Sequence, residues 1–398
     1  MFEERLKLSA AALKNRKLGL ARSAALALGL LGVLGACGDA GDAQFNAQQM
    51  QQIDAAVADG LAAFGGASAV PGAMLVIQAP GKGTLVKAYG KADIPSGRAM
   101  AAEDKFRVGS TTKTFVVTVL LQLVDEKKLS LDDPLSKFNL GVAVPNAANI
   151  TLRQLCNMTS GLFEVYDMPE LDGLDMRPDA KVDPRTLIAL AVAKPVYFAP
   201  GQGWHYSNTG YLLLGLVIEA VTGRAAGSEI EARLLRPLKL SNTSFPSSPA
   251  MPTPYSRGYT LQADRSWQDQ TVLLPPGAIW TAGVMVSDAG DMRRWVDAYV
   301  RGVTNSAATQ AQRLECVETG TAGLRFGLGI GCSGGWYGYT GGIPGYNTAA
   351  YHLPGVGATI VVLVNTQQES PKPGVANAIL RDITKVLYPA NVAYSGKN

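Results

Sequence analysis

The sequence predicts an α/β (α+β) fold in which strands from both ends of the chain share one sheet and a mainly helical part is inserted between them. Two observations support this prediction. Strand-like runs lie near each end, and helical patterns dominate the sequence in between. The chain has 398 residues, of which 47% are hydrophobic and 17% are charged. This composition is typical of a globular protein that buries a large core.

The strand-like runs are short and are separated by turn residues. Near the amino-terminal end, a helical pattern at 48–64 precedes runs at 73–78 and 83–89, and Pro80-Gly81 between these runs predicts a hairpin. Near the carboxyl-terminal end, 349–352 and 358–365 are strand-like and 375–387 is helical. We therefore expect an antiparallel sheet that is built from both ends and flanked by helices.

The central sequence is mostly helical. Helical patterns occupy 112–125, 151–156, 184–193, 208–222 and 289–299. We assign about 49–125 and about 285–390 to the α/β part, and about 126–284 to the helical part. Together they form one domain over 49–398.

The first 37 residues have the features of an export signal. Basic residues from Lys14 to Arg22 precede the apolar run 23–36, which is too short to span a bilayer comfortably. The run ends in Leu34-Gly35-Ala36-Cys37, which resembles the bacterial lipobox, in which the cysteine carries lipid. An ordinary secretory signal cut nearby is the alternative. Residues 38–48 are then a tether, and we expect an exported, cell-envelope (periplasmic) protein anchored to a membrane through Cys37.

Charge and cysteine content limit the possible partners. The first 36 residues hold six basic and two acidic residues, so the rest holds 30 of each. Such a neutral balance lacks the basic surface that nucleic acid requires, and we expect no nucleic-acid partner. In an exported protein Cys316 and Cys332 can form a disulfide bond, and two unpaired thiols are the alternative. Cys156 lies among leucines and is predicted to be a core residue.

Ser110 and Lys113 form the first candidate catalytic pair. They belong to Ser110-Thr111-Thr112-Lys113, at the start of a helix that is apolar nearly all round. A spacing of three places both side chains on one helical face. A lysine buried there has a lowered pKa unless a carboxylate compensates, and a neutral amine can deprotonate the hydroxyl. Alternatively, Ser110 only caps the helix.

Two further motifs strengthen this interpretation. Tyr206 and Asn208 stand at the start of the next predicted helix, where Tyr206 can move a proton and Asn208 can orient Lys113 or a substrate carbonyl. A capping role for Asn208 is the alternative. The sequence Tyr339-Thr340-Gly341-Gly342 follows the strand-like run 325–329, and its small residues allow a substrate backbone to approach. We expect the N–H groups of Gly342 and Ser110 to bind an oxyanion.

The order of these three motifs resembles the class C β-lactamase and D-alanyl-D-alanine carboxypeptidase family of penicillin-recognising serine hydrolases. The resemblance extends over about 52–387. Stretches similar to the family surround the motifs at 129–134, 151–155, 159–162, 237–238, 241–245 and 281–287. The resemblance implies a β-lactamase/transpeptidase-like fold, with a cleft between the sheet part and the helical part.

The resemblance also implies the roles of the motif residues. Ser110 is then the acylated nucleophile, Lys113 its activating partner, Tyr206 the proton shuttle and Asn208 a positioning residue. Thr340 contacts a substrate carboxylate or amide, and neither a metal nor an organic cofactor is implied. Many relatives carry Lys or His where this chain has Tyr339, and a neutral phenol attracts a substrate carboxylate less strongly.

This departure leaves several functions open. The expected activity is that of a D-alanyl-D-alanine carboxypeptidase-like enzyme or an esterase, acting on a small molecule or on a peptide such as a peptidoglycan stem peptide. A β-lactamase is the alternative within enzymes, and β-lactams are then the substrate. A non-catalytic penicillin-binding-like module is the alternative outside enzymes.

Other patterns are set aside. Gly331-Cys332-Ser333-Gly334-Gly335 matches a nucleophile elbow, but the acid and then histidine that such an elbow needs do not follow it. A catalytic dyad of Cys156 and His205 is disfavoured because Cys156 is predicted to be buried. His352 is expected to be structural.

Overall fold

The computed structural model of the chain describes residues 44–272, 274–368 and 374–394. The predicted signal, Cys37 and most of the predicted tether lie outside the described residues. The first helix begins at Ala47, where Asn46 accepts a hydrogen bond from the backbone of Gln49. The helix therefore includes the last two residues that the sequence assigns to the tether.

The described strands form one large antiparallel sheet and two small pairs. In chain order the strands are β1 (Gly72–Ala79), β2 (Gly83–Gly90), β3 (Phe106–Arg107), β4 (Tyr259–Leu261), β5 (Trp267–Asp269), β6 (Val286–Ser287), β7 (Val317–Glu318), β8 (Arg325–Gly327), β9 (Ile330–Ser333), β10 (Trp336–Ile343), β11 (Tyr346–Leu353) and β12 (Ala358–Val364). The large sheet has the order β2-β1-β12-β11-β10-β9-β8-β7. Ala73 in β1 lies opposite Val364 in β12. The prediction that both ends share one sheet is confirmed.

Ten α-helices surround this sheet in the described residues. They are α1 (Ala47–Ala62), α2 (Thr112–Asp125), α3 (Leu152–Cys156), α4 (Pro184–Val192), α5 (Asn208–Thr222), α6 (Ala226–Ile230), α7 (Pro276–Gly283), α8 (Ala289–Val300), α9 (Ala307–Leu314) and α10 (Val375–Leu387). Helices α2, α5 and α10 have the predicted bounds. The sequence analysis missed α6, α7 and α9, because they are too short to give a sustained periodic pattern.

The sheet separates two hydrophobic clusters. Alternate residues of β1 point to opposite faces, so Ala73, Leu75 and Ile77 pack with α1 and α10. Met74 and Val76 join the larger cluster on the other face, which contains the helical part. Because both faces are covered, β1 and β12 are almost continuously apolar.

Helix α2 is buried, as its nearly all-apolar sequence predicts. Its residues from Thr112 to Leu121 are all buried, and it packs against α5, α6 and α7. It also contacts the α/β part, because Phe115 stacks on Trp295 of α8 with ring centroids 3.9 Å apart. A helix that is apolar nearly all round must be covered on every side, and here both parts contribute to its cover.

Two further findings concern the cysteines and the possibility of a membrane-spanning helix. Cys316 and Cys332 form a disulfide bond with a Cα–Cα distance of 6.7 Å, and Cys156 is a free, buried thiol. Within the described residues, no single helix has the length and apolar character of a membrane span. The 208–222 and 226–235 helices meet these criteria only as a pair that is bent by 77°.

Candidate active site

Ser110 lies in a single turn of 3₁₀-helix, Gly109–Thr111, directly before α2. The Ser110 side chain does not cap this helix, because its Oγ atom instead contacts two other side chains. It accepts hydrogen bonds from the Lys113 amine at 3.0 Å and from the Tyr206 hydroxyl at 2.7 Å. The structure thus brings together the three predicted catalytic residues around one oxygen atom.

The turn that carries Ser110 is pressed against strand β10. A Cβ atom added to Gly341 would lie 2.0 Å from the carbonyl oxygen of Val108. One added to Gly109 would lie 2.9 Å from the carbonyl oxygen of Gly342, and Gly109 has a φ of +50°. Two glycines therefore permit the close approach, and the second also permits the left-handed backbone. Their contact fixes Ser110 beside the strand.

Strand β10 has a free edge at this point. Strand β9 pairs only with its first part, Trp336–Gly338, and no other described strand pairs with the later part on that side. The predicted glycine-rich stretch thus lies inside a strand, where Thr340 opposes Ala349 and Gly342 opposes Asn347 on β11. Thr340 and Gly342 are both half-buried. Their roles in substrate and oxyanion binding stay predictions.

Lys113 is completely buried and makes three hydrogen bonds. Besides Ser110, its amine donates to Asn208 Oδ1 and to the carbonyl oxygen of Ala282, both at 2.6 Å. Burial lowers the pKa of the Lys113 amine to about 7, while the negative charge of Glu164 opposes this shift. An amine with this pKa is available as a proton acceptor at neutral pH.

Asn208 is the first residue of α5, and Ser207 occupies the capping position. The capping alternative for Asn208 is therefore wrong. The Asn208 amide is instead held between Lys113 and Glu164, donating from Nδ2 to Glu164 Oε1 at 2.8 Å. The backbone N–H of Asn208 donates to the other Glu164 oxygen.

Sequence analysis missed Glu164. The sequence did hold one indication of this residue. Glu164 is the only acidic residue between Leu152 and Val165, in a stretch that also carries the core residues of α3. A charged residue in such a stretch is rarely buried without a partner. Its partner, Asn208, is 44 residues away in the chain, so sequence alone could not pair them.

Tyr339, at the position where the resemblance implies a Lys or His in many relatives, is only 3% exposed. Its ring contacts Phe326 edge-on, with centroids 5.6 Å apart. Burial, and then the neighbouring phenols of Tyr206 and Tyr211, raise the pKa of Tyr339 well above its ordinary value. The phenol therefore stays neutral beside the catalytic cluster.

The disfavoured alternatives lie outside this cluster. Burial raises the pKa of the Cys156 thiol to about 12, which makes it a poor nucleophile. Ser333 lies in β9 and donates to the carbonyl oxygen of Gly323. His205 stacks on Tyr197, and His352 is buried beside Thr359. Among the described residues, no group of three or more His, Cys, Asp or Glu side chains could hold a metal ion.

The fold and this cluster of side chains are typical of a family of serine hydrolases. The family model described as Beta-lactamase matches residues 53–385, and the chain belongs to that family. The predicted β-lactamase/transpeptidase-like fold is thereby confirmed.

Two solved hydrolase structures are similar to this chain. A D-stereospecific amidohydrolase from Streptomyces sp. is 30% identical, with a TM-score of 0.72 over 84% of this chain and 98% of that one. The D-amino acid amidase of Ochrobactrum anthropi SV3 has the same fold, with a TM-score of 0.76 at 23% identity over 86% of this chain and 100% of that one.

Sequence relatives match over shorter ranges. Esterase EstB of Burkholderia gladioli is 34% identical over 190 residues, which are 44% of this chain and 47% of the esterase. Protein flp of Staphylococcus aureus (strain COL) is 29% identical over 233 residues, which are 57% of this chain and 45% of that protein. The chain therefore spans about half the length of the curated relatives it matches.

The pKa of Lys113 predicts how activity depends on pH. A protonated amine cannot accept the Ser110 proton, so kcat/KM should fall as the pH drops below about 7 and level off above it. The measurement is a pH profile of kcat/KM with an activated ester that does not titrate between pH 5 and 9. A flat profile across this range would contradict the assignment of Lys113 as the base.

Proposed function

We propose that this chain hydrolyses an amide or ester through an acyl-enzyme at Ser110. The observation that carries the proposal is the position of Ser110 Oγ, which contacts both the Lys113 amine and the Tyr206 hydroxyl. A nucleophile beside a base and a second proton carrier is the arrangement that acyl transfer requires.

The proposed reaction has two steps. Lys113 takes the proton of Ser110 while the Ser110 Oγ atom attacks the carbonyl carbon of the substrate. Tyr206 delivers a proton to the departing amine or alcohol. Water then attacks the ester of Ser110 with the same groups acting in reverse, which releases the acid and restores the serine. The backbone N–H groups of Ser110 and Gly342 are the proposed oxyanion donors.

The proposed substrate is a neutral amide or ester. D-alanyl-D-alanine carboxypeptidase-like and esterase activities both use this acylation chemistry, but a carboxypeptidase substrate ends in a carboxylate. The neutral, buried Tyr339 offers that carboxylate no positive charge. The 30% identity to a D-stereospecific amidohydrolase and the relationship to an esterase support amides of D-amino acids and simple esters as the first substrates to test.

The nucleophile is tested by Ser110→Ala. The variant should lose turnover of an activated ester by roughly 10³-fold or more, because no acyl-enzyme can form. It should also lose the covalent mass increase that the unmodified protein shows with a slow substrate. Retention of both signals would rule out the mechanism, and an adduct that forms on Ser110 but never clears would identify a binding module.

The substrate class is tested with matched pairs. We expect a D-amino-acid amide or methyl ester to give at least a tenfold higher kcat/KM than a peptide that ends in a free D-alanine carboxylate, an estimate based on one unpaired charge. Ser110→Ala serves as the background control. A preference for the free carboxylate would favour the carboxypeptidase, and rapid opening of a chromogenic cephalosporin would favour the β-lactamase.

We also propose export to the cell envelope with lipid on Cys37. The Leu34-Gly35-Ala36-Cys37 sequence and the Cys316–Cys332 disulfide bond support this proposal, because disulfide bonds persist in oxidising compartments. Labelled palmitate should be incorporated into the full chain and lost in Cys37→Ser. Equal labelling of both proteins would contradict lipidation at this residue.

A further inference from the structure

Glu164 is a buried carboxylate to which the proposed reaction assigns no step. It is 7% exposed and lies in the connection between α3 and α4. A buried carboxylate costs free energy unless other groups compensate it. The contacts of Glu164 therefore indicate which role the buried carboxylate has.

The hydrogen bonds of Glu164 fix the orientation of one side chain. Oε1 accepts from Asn208 Nδ2 at 2.8 Å and from the backbone N–H of Tyr166 at 3.1 Å, and Oε2 accepts from the backbone N–H of Asn208. An amide has one donating end and one accepting end. Because Nδ2 faces the carboxylate, Oδ1 faces the Lys113 amine, at 2.6 Å.

The charge of Glu164 also acts on Lys113. The amine faces the rings of Tyr206 and Tyr211 at 5.1 and 5.3 Å, together with Ser110 and the carbonyl oxygen of Ala282. All of these groups are uncharged when the phenols are protonated. Among the described residues, Glu164 is the anion whose field acts on this amine.

Two tyrosines lie near Glu164, and one of them, Tyr197, is also affected by the charge of Asp167. The Tyr197 hydroxyl accepts from the backbone N–H of Glu164, and the Tyr166 hydroxyl donates to the carbonyl oxygen of Ala278. Burial raises the pKa of the Glu164 carboxyl, and the N–H donors of Asn208 and Tyr166 and the charge of Lys113 limit the rise. Lys113 is thus the cation that balances this carboxylate.

We propose that Glu164 is a positioning residue for Lys113, which it orients through Asn208 and whose protonation it adjusts by its charge. The proposal rests on the proposed function, because it assumes that Lys113 activates Ser110. In the resulting chain the Lys113 amine donates to Asn208, and Asn208 donates to Glu164. A polarised chain of this kind strengthens each of its hydrogen bonds.

The test is the pH profile of Glu164→Gln. This change keeps the shape of the side chain but removes its charge, so the amine is protonated less readily. The acidic limb of kcat/KM should move to lower pH, by about one unit or more. At high pH, kcat should fall roughly ten- to a hundredfold, because a neutral amide replaces a charged hydrogen-bond acceptor of Asn208.

Two further variants separate charge from shape. Glu164→Asp keeps the charge on a shorter side chain. The acidic limb of its kcat/KM profile should therefore stay near that of the unmodified protein, while kcat is reduced. Glu103→Gln makes the same chemical change at an exposed position and should leave both quantities unchanged. If Glu164→Gln does not fold, the proposal can still be overturned by Glu164→Asp, in which the acidic limb of kcat/KM would then have to shift by a full pH unit.

A double-mutant cycle tests the route through Asn208. In an Asn208→Ala background, Glu164→Gln should reduce kcat by less than threefold, because the residue that it orients is absent. If the kcat losses of the two single variants multiply in the double variant, the route through Asn208 is wrong. These outcomes differ from failure of the proposed function, which shows as turnover that persists in Ser110→Ala. Turnover that depends on Ser110, with an unmoved limb in Glu164→Gln, overturns only the role of Glu164.

Discussion

Lys113 holds the candidate site together because its amine is completely buried and its hydrogen-bond partners come from three separate segments. Ser110 precedes α2, Asn208 begins α5 and Ala282 lies in α7. A buried ammonium group without partners would cost several kcal/mol. The three helices are therefore constrained to meet at this amine. The same packing that completes the helical core also assembles the candidate site.

The second constraint comes from the sheet. The Ser110 turn can contact β10 only because Gly109 and Gly341 lack side chains at the crossing point. Strand β9 ends its pairing at Gly338, which leaves the later part of β10 unpaired on that side. The site thus lies where the helical core meets a free strand edge. Under the proposed function, this position offers an incoming substrate both a nucleophile and backbone groups with which to pair.

The sequence predicted those parts of the site that depend on local spacing. Ser110 and Lys113 are three residues apart, in a 3₁₀ turn and in the first turn of the helix that continues it, so their contact follows from helical geometry. The bounds of α5 placed Asn208 correctly at a helix start. Glu164 could not be predicted in the same way, because its position depends on the packing of a connection against α5. The close approach of Gly109 to Gly342 likewise joins segments more than 200 residues apart.

The charge balance of the site explains why Tyr339 changes what the site can bind. Lys113 and Glu164 are both buried, and their charges balance only while the amine is protonated. When the amine is neutral and acts as the base, the pair carries one negative charge. A lysine or a protonated histidine at position 339 would add a positive charge that a substrate carboxylate could use. The buried Tyr339 phenol stays protonated and supplies no such charge. Under the proposed function, recognition then depends on hydrogen bonds and on the β10 edge, to which an amide or ester carbonyl can bind.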